Sequence, residues 1–345
     1  MRKMTGILAT VLALGLVLAG EGRFFKAEAG SENKVVFADP NLEQAVRKAI
    51  SKPAGDLSPS DLQGLTALDA SARQIKDLSG LENCQNLKKL DLFANQISDL
   101  KPLTELKNLN GLDLGINQIS DLKPLSGLKD LTELNLCFNQ ISDLAPLSQL
   151  KNLTVLSLSD NQISDLTPLS ELKNLTKLFL SGNQIGDLKP LSELKNLAEL
   201  LLSNNQISDL KPLSELRTLT KLDLGANQIS DLAPLLELNN LTELNLSFNQ
   251  ISDLKPLSGL NNLTMLLLSA NQIGDLKPLS ELKNLTSLGL DKNQINDLTP
   301  LVDNCNAGGL GEGDKVYISD NPLSEKARKE QIPFLRSKGV EVFEE

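Results

Sequence analysis

The triplet Asn-Gln-Ile recurs at Asn95, Asn117, Asn139, Asn161, Asn183, Asn205, Asn227, Asn249, Asn271 and Asn293, each 22 residues from the last and without one insertion. A fixed period of that length specifies a stack of like units rather than a globule. The unit reads L-x-x-L-x-L-x-x-N-Q-I-x-D-L-x-P-L-x-x-L-x-N, and in its first full copy the marked positions are Leu87, Leu90, Leu92, Asn95, Ile97, Leu100, Leu103 and Leu106. A degenerate copy precedes it, through Leu65, Leu68, Ala70, Ile75, Leu78 and Leu81, with Arg73 in the Asn position and Cys84 in that of the last Leu. A final copy at Val316, Ile318 and Asn321 is displaced by six extra residues, which fall in the Gly-rich stretch 307–314, read here as a flexible insertion.

The physics of one unit follows from its pattern. Leu90 and Leu92 alternate with Lys89, Asp91 and Phe93, the period of a short strand with one buried face. The Asn takes the chain out of that strand, and its amide has both a donor and an acceptor with which to bond neighbouring backbone as an interior ladder. Pro102-Leu103-Thr104-Glu105-Leu106 suits one turn of 3₁₀ or α helix with Pro in first position. Such a unit cannot fold alone. It buries about seven apolar side chains at roughly 1.5–3 kcal/mol each, against about 1–2 kcal/mol for every backbone it orders. Neighbouring coils close that gap. The expected product is an α/β solenoid, a right-handed superhelix with a concave parallel sheet and short helical turns on its convex side. Its raw ends need caps. Asp39-Pro40-Asn41, followed by Leu42, Ala45, Val46, Ala49 and Ile50, reads as a capped amphipathic helix for one end. Residues 324–331, then Pro333, Phe334, Leu335 and Val340-Glu341-Val342, serve the other.

Composition narrows the function. The chain has no His, which removes the commonest general base and metal ligand together, and no catalytic constellation replaces it; an enzyme is not expected, nor a cofactor or metal. Net charge is −10, so nucleic acid and anionic membrane surfaces are poor partners. Arg2 and Lys3 precede an uncharged apolar run over residues 7–19, short for a bilayer span and suited to an export signal. Ala27-Glu28-Ala29 is the preferred cleavage site. The expected organisation is a signal over 1–29, an N-terminal cap over 30–64, one degenerate and ten regular repeats over 65–306, and a terminal repeat with cap over 307–345. The product is expected to be secreted or periplasmic, a monomer, and not inserted in a membrane after cleavage.

The 22-residue unit with N-Q-I-S-D-L-x-P-L resembles the internalin type of bacterial leucine-rich repeat, from about Val36 to the C-terminus. The segments Asp39-Pro40-Asn41-Leu42 and Asn321-Pro322-Leu323-Ser324 are similar to those of bacterial members of that superfamily. The resemblance implies the leucine-rich-repeat superhelix and binding of a protein ligand through the concave face. Neither the immunoglobulin-like segment nor the surface anchor of adhesive internalins is expected after these repeats.

Candidate contact residues are the outward strand positions. Phe179 and Leu201 occupy one column in adjacent repeats, about 4.8 Å apart, beside Val155; exposed apolar residues so placed mark contact. Lys177, Glu199, Lys221 and Glu243 alternate in sign alongside, where they either select a ligand or neutralise one another across strands. Met265 and Leu267 form a second, weaker patch. The Asp column from Asp77 to Asp297 is read as turn caps accepting backbone N–H groups, since calcium needs six or more converging oxygens. Cys84 and Cys305 stand ten coils apart, roughly 48 Å by strand spacing, too far for a disulfide; none is expected with Cys137 either. A concave-face binding module is the favoured function, with a regulatory subunit or scaffold of an intracellular enzyme complex as the alternative.

Overall fold

The computed structural model describes residues 34–344, so the segment read as an export signal lies outside the described residues. Within them, thirteen three-residue strands, from β1 (Ala67–Asp69) to β13 (Glu341–Phe343), form one parallel sheet whose spatial order is the chain order. Each strand lies in register with the equivalent residues of the next, so that Lys177, Leu178 and Phe179 sit beside Glu199, Leu200 and Leu201. The alternation predicted from the sequence holds: Leu178 and Leu180 are fully buried, with Phe179 half-exposed between them. Leu and Ile side chains from every coil join one continuous core running the length of the stack.

On the opposite side the repeats make 3₁₀ turns such as Lys101–Leu103 and Lys189–Leu191. Pro102 is the second residue of its turn rather than the first, the position expected from the sequence. The cause lies in the Asp column. Asp99 Oδ1 accepts the Lys101 N–H at 2.8 Å, so the turn opens on a residue whose donor is already satisfied. Asp121 and Asp143 do the same for Lys123 and Ala145. These carboxylates are turn caps.

The interior ladder is present in every regular coil. Asn183 Oδ1 accepts the Ile163 N–H at 3.0 Å, while its Nδ2 donates to the carbonyls of Leu158 and Leu180, each at 3.0 Å. Asn95 begins the series and Asn321 ends it, in the displaced copy. The residue just before each ladder Asn, not the Asn itself, reverses the chain. Ala94, Ile116, Phe138, Asp160, Asn204, Ala226, Phe248, Ala270 and Lys292 all hold φ between +52° and +58°. That left-handed conformation aims their N–H groups at the following coil, as in Ile116 N–H to the Cys137 carbonyl at 2.8 Å.

Both ends are closed by caps. Helix α1 (Pro40–Ala49) is N-capped by Asp39, whose Oδ1 accepts from Asn41 and Leu42 and whose Oδ2 takes the Lys76 N–H of the first coil at 2.9 Å. Helix α2 (Pro59–Leu62) follows as a single turn. At the far end the 3₁₀ turn is replaced by a longer helix, α3 (Thr299–Asn306), and the Gly-rich stretch after it is pinned rather than loose. Asn304, fully buried, donates to the carbonyls of Leu279 and Leu282 and accepts the Leu310 N–H at 2.8 Å, while Gly313 N–H reaches the Gly339 carbonyl. Helix α4 (Ile332–Ser337) and β13 cover the last coil. Gln331 clamps them to it through the Leu298 N–H, Asp297 and Thr299, and Phe343 stacks on Tyr317 at 4.7 Å.

Candidate ligand-binding face

Each of the first eleven strands sets two side chains beside one buried Leu, so the face is two columns wide, with a third after the next buried aliphatic residue. Column residues lie one strand spacing apart, about 4.8 Å. Whether a column forms a ridge or a hollow therefore depends on the size of its side chains. Over the first six strands small and short residues prevail, Ala67, Gly111, Asn135 and Ser157 among them, and an open trough of about 580 Å³ results. Val155 and Phe179 close its far end.

The trough carries a row of carboxylates. Asp69, Asp91 and Asp113 are register neighbours. Each turns one oxygen to the backbone two residues on, accepting from Ser71, Phe93 and Gly115 at 2.9–3.0 Å, and Asn135 donates to Asp113 at 3.0 Å. Burial pushes the Asp91 carboxyl above its ordinary range, and the Asp113 and Asp69 carboxylates add to that. The Ser71 hydroxyl and N–H hold Asp69 below it.

The predicted contact residues divide between two places. Val155 and Phe179 line the trough. Leu201 pairs with Phe179 in register and lies half-buried beyond the rim. Lys221, Met265 and Leu267 line a second hollow of about 170 Å³ that begins two strands beyond Phe179. Lys177 and Glu199 form an ion pair at 2.5 Å and Lys221 and Glu243 another at 2.8 Å, so these alternating charges are neutralised across strands, and neither pair engages the carboxylates of the trough.

Sequence reasoning missed a column. At the strands' C-terminal edge Ile116, Phe138 and Phe248 are 43%, 53% and 61% exposed, and all three occupy the left-handed position before a ladder Asn. Most other repeats put Ala, Asn, Asp or Gly there. A β-branched or aromatic residue with positive φ pays a steric cost that a small or amide side chain avoids. The readable signal was a bulky side chain just before Asn-Gln-Ile. Near Ile116 and Phe138, Phe93 leans over Gly115 towards Cys137; a Cβ at Gly115 would come within 3.0 Å of both the Phe93 ring and the Cys137 Sγ.

Among the described residues no group of His, Cys, Asp and Glu is arranged to hold a metal ion. All three cysteines are free thiols, well separated. Burial pushes Cys84 up to about 12 and raises Cys137 and Cys305, which makes them poor nucleophiles. No helix of the described residues is long and apolar enough to cross a membrane.

An open parallel sheet of one short strand per 22 residues, an Asn ladder beneath it and 3₁₀ turns behind it define a leucine-rich-repeat solenoid with a hollow on its sheet face. The family model for leucine-rich repeats (two copies) matches at residues 63–105, 107–149, 151–193, 195–237, 217–259 and 239–281, and the chain belongs to that family, in its bacterial internalin type. It is similar to internalin F of Listeria monocytogenes, with 31% identity, a TM-score of 0.84 and 90% of each chain covered. Internalin C2 of the same organism shares 38% identity, with a TM-score of 0.54 over 68% of this chain and 95% of that one. A leucine-rich-repeat protein of Leptospira interrogans matches at 27% identity and TM-score 0.62, covering 83% and 85%. No curated protein matches the chain. Leucine-rich-repeat proteins mediate protein–protein interaction, and their internalin-like fold is typically a binding scaffold without catalysis.

Proposed function

We propose that this chain is an exported binding module that takes a protein ligand on its concave sheet face, across the trough that ends at Val155 and Phe179. One observation carries the reading: the trough is a preformed hollow that half-exposed Val155 and Phe179 line at its far end, and Phe138, next in the chain to the lining Cys137, stands exposed. Unburied aromatic groups around a concavity are the usual anchors of an interface. Ordering such a surface in advance also lowers the entropy cost of association. The Arg2-Lys3 start and the apolar run over residues 7–19 support export, and secreted material is expected to begin at Gly30.

The test is capture of a partner by the full chain compared with its Phe179→Ala and Phe138→Ala variants, alongside fractionation of the producing cell. Loss of a partner by the variants, with the chain recovered outside the cytoplasm, supports the reading. Retention of Met1 in the cytoplasm would overturn export. Capture indifferent to both substitutions would overturn the concave face.

A further inference from the structure

The trough is unevenly charged along its length. Its first four strands line it with Asp69, Asp91, Asp113 and Glu133 and one cation, Lys89, while Arg73 and Lys48 act from nearby on Asp69. Beyond Val155 most outward strand charges pair off, Lys177 with Glu199 and Lys221 with Glu243, leaving Asp223, which accepts from Asn245. Net negative charge on the face is thus greatest in the first half of the hollow, where low-dielectric walls concentrate its field. That same half carries the apolar rim: Phe93 half-exposed over Gly115, with Ile116 and Phe138 exposed beside it at a backbone conformation that disfavours both. Glycine at 111 leaves the floor open, with only the Lys89 side chain within reach of an added Cβ, at 3.7 Å.

We propose that this half of the trough receives an extended, lysine- or arginine-bearing segment of a protein partner, with its cations over Asp69, Asp91 and Asp113 and a bulky apolar side chain against Phe93, Ile116 and Phe138. The inference rests on the concave-face reading and names the class of partner. The spacing suits it. A three-strand row of carboxylates is about 10 Å long, and an extended segment presents side chains on one face every ~6.8 Å, so two alternate cations span the row. Cations there also offset the burial and the mutual repulsion that together hold the Asp91 carboxyl above its ordinary range. Charge complementarity of this kind sets partner choice and association rate.

The experiment is fluorescence anisotropy with the full chain and short labelled peptides built on one frame, with phenylalanine at a central position and lysine, glutamate or serine at the alternate positions. The lysine peptide is expected to bind most tightly. The Asp69→Asn/Asp91→Asn/Asp113→Asn variant keeps the oxygens that accept from Ser71, Phe93 and Gly115, so it should fold and lose affinity by roughly tenfold or more. Phe138→Ala should weaken the same peptide. Asp99→Asn/Asp121→Asn/Asp143→Asn removes the same charge from the convex side and should leave binding unchanged. Equal losses in the two triple variants would overturn the proposal, because attraction would then follow total charge. Tighter binding of the serine or glutamate peptide, still weakened by Phe138→Ala, would overturn the basic partner and leave the concave face standing. Lysine-peptide binding indifferent to both the trough variant and Phe138→Ala would overturn both.

Discussion

Asn183 and Leu158 are 25 residues apart in the chain and joined by a hydrogen bond of 3.0 Å from the Asn183 amide to the Leu158 carbonyl. The same amide reaches its own coil at Leu180, and its oxygen takes the Ile163 N–H. One side chain thus satisfies backbone groups of two coils that the 22-residue turn would otherwise leave buried without partners. A strictly repeated Asn follows, because no other common side chain offers a donor pair and an acceptor on so short a stem.

Asn183→Ala is therefore expected to destabilise the chain by about 1–3 kcal/mol, the cost of buried backbone groups left unpaired. Phe179→Ala, four residues earlier, removes a half-exposed ring and should cost about 1 kcal/mol or less. Denaturant titration of both variants checks the contrast. Phe179→Ala as damaging as Asn183→Ala would mean that the sheet face is part of the core.

Ile116 and Phe138 hold φ of 52° and 53°. Asn adopts that conformation more readily than any β-branched or aromatic residue. Ile116→Asn and Phe138→Asn are each expected to raise stability by roughly 0.5–1 kcal/mol, while weakening a ligand that uses the rim, the exchange common at functional sites. A lowered melting temperature in both variants would show that these side chains stabilise the fold rather than serve contact.

Acid should act on two aspartates in opposite senses. Lys52 at 2.7 Å, with the Ser58 N–H and hydroxyl at 2.8 Å, holds Asp61 at about 2. A carboxyl depressed in the folded state contributes stability above its unfolded value, lost as pH falls from about 4 towards 2. Asp91 is raised by burial and by its neighbours, so its folded form keeps a proton more readily, and its contribution is favourable in acid and lost as pH rises through the folded value. Asp61→Asn should flatten the acid limb of a melting-temperature profile. Asp91→Asn should raise the melting temperature near neutrality, with the gain vanishing below about pH 4. A gain that persists in acid would assign it to packing rather than to charge.

Cys84 is fully buried and pushed up to about 12, whereas Cys137 and Cys305 are half-buried. A thiol reagent is expected to reach Cys137 and Cys305 slowly in the native chain and Cys84 only on unfolding. Since Cys137 lines the trough, a bulky adduct there should block the ligand, and ligand should protect it. Mass mapping of the adducts reads both. Early labelling of Cys84 would show that the first coil opens well before the rest.

The period, the caps and the roles of Asn and Asp are legible in the sequence, because each is set between one coil and the next. Leu90, Asn95, Asp99 and Pro102 recur at fixed offsets, and every repeat solves the same local problem with the same residues. Even the end helix announces itself through Asp39-Pro40, where a capping carboxylate precedes a residue that needs no donor. Local pattern does not say what the columns add up to. The trough exists because Ala67, Gly111, Asn135 and Ser157, each unremarkable in its own repeat, come together on the first five strands of one face. The pairing of Lys177 with Glu199 likewise depends on which way two flexible side chains turn across a strand gap. Ile116 and Phe138 become a rim only once the coil's closure forces their positions into the left-handed region and leaves their side chains outside. Sequence determined the repeating interior, where contacts are identical from coil to coil; tertiary structure decided the face, where volume and charge are sums over residues 22 positions apart that no single repeat contains.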